Sequence, residues 1–257
     1  MSQAPSPPPP PSPSEPATPP GVEIPGRPRV PWSGWDLLTV LAVGLSLGVG
    51  LTVVSFAALG DVVADSVTAQ VSLAGVMVYA GLAFAGWGIA LRRRGARLVD
   101  AGFRWAGVGP LILALPLVLI LMFTTGLVIY ISDALFGGVP SAQEQVAPGG
   151  TTLSSSDLYW LLLAGAVAAP IVEEFFFRGL LFPYLRARAG LWIGVLGSSA
   201  LFSVMHFVPP LIPALLVFGV IQALVVHRYK TLYPAMILHA INNAVLLIGV
   251  YTYLNNP

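Results

Sequence analysis

From Trp35 onward the chain is a series of long apolar stretches separated by short polar breaks. A helix needs about 20 residues to cross the hydrocarbon core, because lipid offers no partner for a backbone N–H or C=O. Seven stretches suit this role: 36–58, 67–91, 107–131, 158–182, 191–208, 211–226 and 232–252. Only 9% of the 257 residues are charged and 56% are apolar. A water-facing surface usually needs about a quarter charged residues, so a soluble domain is excluded. The absence of cysteine excludes a disulfide scaffold, a thiol nucleophile and a Cys-ligated metal site. A net charge of +1 gives no basis for nucleic-acid binding. The expected fold class is all-α, a polytopic membrane protein of about seven transmembrane helices in a bundle.

Three regions are expected. Residues 1–31 hold 13 of the 24 prolines, too little apolar surface to fold, and read as a disordered cytoplasmic tail. That tail is a plain tether or a ligand for a Pro-binding partner. Residues 32–156 hold the first three spans and a long external loop. Residues 157–257 hold the remaining spans. Eleven of the twelve Lys and Arg residues fall on one side of a seven-span count, among them Arg92, Arg94, Arg97, Arg186, Arg188 and Lys230. The opposite loops carry Asp61, Asp65, Asp133 and Glu144 without a cation. This asymmetry predicts an integral, multi-pass protein with its N-terminus in the cytoplasm and its C-terminus outside.

The twelfth cation, Arg178, lies inside the fourth span with Glu173 and Glu174. Each such charge costs roughly 2.5–3.5 kcal/mol near a helix centre on insertion scales. Glu174 and Arg178 are one turn apart and can pair. Glu173 is rotated by about 100° from Glu174, which leaves one carboxylate without a structural explanation. His206 falls near the end of the fifth span, and His239 with Asn243 lies one turn apart in the seventh. Intramembrane ionisable groups face a bundle interior or a wet cavity. Glu173, His206, His239 and Asn243 are therefore expected to converge on an intramembrane polar cavity, able to polarise water or to hold a metal. A single buried His is commonly just a packing element; the four together are not so readily explained. Phe175, Phe176 and Phe177 read as lipid and helix packing, and Trp32 and Trp35 as interface anchors.

In this order the residues resemble the CPBP intramembrane proteases, also called the CAAX protease and bacteriocin-processing or Abi family. Glu173, Glu174 and Arg178 match its Glu-Glu-x-x-x-Arg motif; Phe202 and His206 match Phe-x-x-x-His; His239 and Asn243 match His-x-x-x-Asn. The resemblance covers roughly 157–250. It implies an intramembrane endopeptidase in which Glu173 activates the attacking water, with His206, His239 and Asn243 around the scissile carbonyl. Glu174 and Arg178 then support the site. The family has been described both as metalloproteases and as glutamate-dependent peptidases. If a zinc ion is held, Glu173, His206 and His239 are its candidate ligands. The implied partners are a peptide or membrane-protein substrate and the lipid bilayer.

Two other readings use the same residues. A proton-coupled transporter also lines a cavity with Glu and His, although no matching halves stand out. A non-catalytic scaffold or immunity protein would retain the fold and dock through the Pro-rich tail. Depth adds a constraint. Counted at 1.5 Å per residue, Glu173 and His239 lie roughly 10–15 Å from the cytoplasmic boundary, and His206 about 22 Å. Convergence then predicts a fifth helix that starts near Gly194–Gly197, a strong tilt, or a re-entrant stretch at Arg186–Trp192.

Overall fold

The computed structural model describes residues 30–146 and 152–255. Most of the Pro-rich segment lies outside the described residues. Among those described there is no strand. Six helices are long and apolar enough to cross a membrane: α1 (Gly34–Val63), α2 (Val67–Arg94), α3 (Gly109–Phe136), α5 (Ser155–Ala189), α7 (Pro209–Tyr229) and α8 (Tyr233–Asn255). A short helix, α4 (Ala142–Val146), lies in the loop after α3. The expected fifth span is the shorter helix α6 (Leu191–Val204). The protein is an all-α, multi-pass membrane bundle with, among the described residues, six full-length candidate spans and one short one.

Caps fix the helix starts. Ser33 accepts from the Asp36 N–H while Asp36 accepts from the Ser33 backbone, a reciprocal capping box at α1. Ser154 and Asp157 repeat it at α5. Ser66 caps α2 and also bonds Asp157, tying the starts of α2 and α5 together. At the other end of α1 and α2, Arg94 grips Asp36 through two 2.9 Å hydrogen bonds. Thr231 donates to the Arg104 carbonyl at 2.8 Å, which brings the α7–α8 turn to the same cationic end.

The crossing of α1 and α2 depends on missing side chains. A Cβ on Gly81 would sit 2.4 Å from the Gly44 carbonyl oxygen, and one on Gly48 would sit 2.6 Å from Val78 Cα. In lipid, where apolar surface drives nothing together, such close backbone packing holds helices in register.

Three sequence expectations are corrected. The fourth span does not stop at 182: α5 runs unbroken through Arg186 and Arg188 to Ala189, where Gly190 turns the chain directly into α6. Glu173 is therefore about 24 Å from the α5 terminus, matching His206 at about 22 Å beyond the start of α6. No late start or re-entrant stretch is needed. Of the lipid and helix packing expected of the three phenylalanines, the structure shows helix packing alone: Phe175, Phe176 and Phe177 are all buried in the main core with Leu91, Leu180, Phe202 and Phe218. Trp32, expected at an interface, is also buried and donates through Nε1 to the Leu180 carbonyl at 2.9 Å.

Candidate active site

Within α5 the helix widens into π-type turns at Leu162–Ala168 and Phe175–Leu181, on either side of the Glu173–Glu174 pair. Such turns commonly mark functional sites in helices. The first has a legible cause. Ala169 donates to Ala164 instead of to Gly165, and Pro170, having no N–H, cannot take over. The Gly165 carbonyl is left for a side chain. Asn243 supplies it, donating through Nδ2 at 2.8 Å.

Glu174 is fully buried. Its Oε1 accepts from Arg178 Nη1 at 3.1 Å and faces His239 Nδ1 at 3.0 Å. Arg178 is equally buried. Its second nitrogen donates to the Gly219 carbonyl at 3.2 Å, and its guanidinium lies 4.5 Å from the centre of the Phe202 ring. That carbonyl is within reach because α7 packs closely on α6 at Gly219, where a Cβ would meet Ser199 at 2.8 Å. The charge is thus matched by a carboxylate, a carbonyl and an aromatic face, the conditions under which a buried ion survives.

Glu173 points elsewhere. Its Oε1 accepts a 2.6 Å hydrogen bond from the Tyr79 hydroxyl on α2. Its Oε2 is buried with no protein hydrogen-bond partner and faces His239 Nε2 across 3.8 Å. With Nδ1 bonded to a carboxylate that can only accept, Nδ1 carries a proton and Nε2 is the ring atom turned toward Glu173. The gap between Nε2 and Oε2 is one that a bridging water can join.

The other expected members are placed differently. His206 is not inside a helix. It lies in the turn after α6, exposed, with Nδ1 2.8 Å from the Phe202 carbonyl. The chain then reverses through Phe207, a non-glycine residue at φ 55°. The Phe202 ring contacts both imidazoles, at 4.6 Å from His206 and 6.1 Å from His239 between ring centres. No hydrogen bond or ion pair joins His206 to Glu173 among the described residues. Asn243, expected around the scissile carbonyl, has its amide committed to Gly165, and its Oδ1 accepts from Asn242.

As arranged, the expected zinc ligands do not form a three-donor set: among the described residues no group of three or more His, Asp or Glu is placed to share a metal ion. His239 and Glu173 face each other, while His206 is turned to the Phe202 carbonyl.

Tyr79 was not among the sequence candidates. It had a signal: a tyrosine roughly midway along a span, where the hydroxyl needs a partner, in contrast to the belts at span ends. Gln222 is a second buried polar group that sequence reasoning missed. It is fully buried and donates to the Ala235 carbonyl at 2.9 Å, linking α7 to α8.

Residues 155–245 match the family model described as Rce1-like, type II CAAX prenyl endopeptidase Rce1-like. No curated protein and no solved structure matches the chain.

Proposed function

Starting from residues 155–245 as a domain of the Rce1-like type II CAAX prenyl endopeptidase family, we propose that the chain hydrolyses a peptide bond within the membrane, with Glu173 as the base. The observation that carries this reading is the buried, unpartnered Oε2 of Glu173 opposite His239 Nε2. Water between them gives one proton toward each acceptor and leaves an oxygen lone pair for the carbonyl carbon of the substrate. Glu173 Oε2 takes the proton as the C–O bond forms and returns it to the leaving nitrogen as the C–N bond breaks. His239, held in its tautomer by Glu174, orients the water. Arg178 fixes Glu174. His206 and Asn243, assigned by resemblance to the scissile carbonyl, border the site through Phe202 and Gly165.

An apolar cleft of about 540 Å³ supports a substrate that carries a lipid chain. Its walls include Leu37, Leu41, Phe176 and Phe177, and it extends to Met205, the residue before His206. The clustering of cations at the end marked by Arg94, Arg104 and Lys230 supports a cytoplasmic placement of that end and of the N-terminus.

Glu173→Gln in proteoliposomes, assayed on a prenylated-peptide library, tests the reading. The expected result is loss of cleavage by a factor of about 10²–10⁴, the usual contribution of a general base, with insertion and thermal stability retained. Undiminished cleavage, or proton flux without cleavage by the native protein, overturns it.

A further inference from the structure

We propose that Tyr79 is a positioning residue of this site, whose hydroxyl holds one oxygen of Glu173 so that the other is the one presented to His239. The inference rests on the reading of Glu173 as base, and it extends the site to a helix outside the family-matched segment.

A carboxylate rotates about its last bond over a broad, two-fold profile, so nothing in Glu173 itself decides which oxygen faces the water. The 2.6 Å bond from Tyr79 decides it. That length is typical of a strong hydroxyl–carboxylate bond. The donor is also unable to retreat. Val78, one residue before Tyr79, packs against Gly48, and Gly81, two residues after, packs against Gly44. At this level α2 is therefore locked to α1. On the other flank Gly86 abuts the Phe175 ring, where a Cβ would sit 2.7 Å from it, fixing α2 against the turn that follows Glu174. Without Tyr79, Oε1 loses its donor and the carboxylate plane is free to turn, so that no oxygen is held opposite His239.

The test compares native protein, Tyr79→Phe and Glu173→Gln, with 3-fluorotyrosine at position 79 as a variant that keeps the ring and the hydroxyl. Two readouts are taken: kcat and KM for peptide cleavage, and the infrared carboxylate band assigned to Glu173 by its absence from Glu173→Gln. Tyr79→Phe is expected to lower kcat roughly ten- to hundredfold, the scale of a misplaced catalytic group, with KM within about twofold, and to displace the band. Fluorotyrosine, a more acidic donor, is expected to retain cleavage and displace the band in the opposite direction. A band unmoved in both variants overturns the assignment of Tyr79. Full cleavage by Glu173→Gln overturns the hydrolase reading, and a displaced band in that case still reports the contact, so the two failures are distinguishable.

Discussion

His239 Nδ1 meets Glu174 at 3.0 Å, on the same carboxylate oxygen that Arg178 grips at 3.1 Å. One buried anion thus holds both the imidazole and the guanidinium, while the neighbouring Glu173 is turned to Tyr79 and to the other nitrogen of the same imidazole. On the proposed reading adjacent carboxylates divide the work: one keeps the site's geometry and the other faces the reaction.

The ion pair should behave as a buried unit. Arg178→Met is expected to destabilise the protein by about 3–5 kcal/mol, because it removes the guanidinium that balances the buried Glu174 and leaves that carboxylate with His239 alone. Combining it with Glu174→Gln should recover a large part of that loss. Thermal unfolding in detergent measures both variants; equal destabilisation by single and double variants would contradict the pairing.

Asn243 and Pro170 should be energetically coupled. Asn243→Ala strands the Gly165 carbonyl and is expected to cost about 1–3 kcal/mol. In a Pro170→Ala background the restored N–H can satisfy that carbonyl, and the same substitution should cost little. A double-mutant cycle on unfolding free energy reads the coupling directly. Additive effects would show that the two residues act independently. Loss of cleavage by Asn243→Ala at unchanged stability would favour the carbonyl-side role implied by the resemblance.

The α1–α2 crossing should reject even one methyl group. Gly81→Ala is expected to destabilise by about 1–3 kcal/mol, as overpacking does, and to lower activity by moving Tyr79 away from Glu173. Gly50, with nothing within 4 Å of a Cβ, provides the control: Gly50→Ala should be neutral or stabilising by about 0.5–1 kcal/mol. Unfolding and cleavage assays on the pair would refute the packing account if Gly81→Ala matched Gly50→Ala.

The bundle was legible in the sequence because lipid imposes a length on each apolar stretch, and the charges that broke that pattern were few. Glu174 and Arg178 followed from helical spacing alone. What stayed hidden had definite causes. The end of α5 was placed at 182 because Arg186 and Arg188 resemble a loop, yet basic side chains continue a helix comfortably beyond the hydrocarbon. The amide of Asn243 was unreadable because its partner exists only where Pro170 and a widened turn free the Gly165 carbonyl. Tyr79 was passed over because the family motifs begin at Glu173, and a motif names only the residues of its own segment.

The brevity of α6 bears on how the reagents arrive. Fourteen residues cover about 21 Å, against a hydrocarbon slab about 30 Å thick. Local thinning of the bilayer is one way to accommodate a hydrophobic segment that short, and it would bring the headgroup layer toward the Val204 end, where Phe207 is 84% exposed. Beside His206 the leaflet would then be drawn in, giving solvent a shortened route to the polar pocket between Glu173 and His239, which would otherwise be sealed in oil.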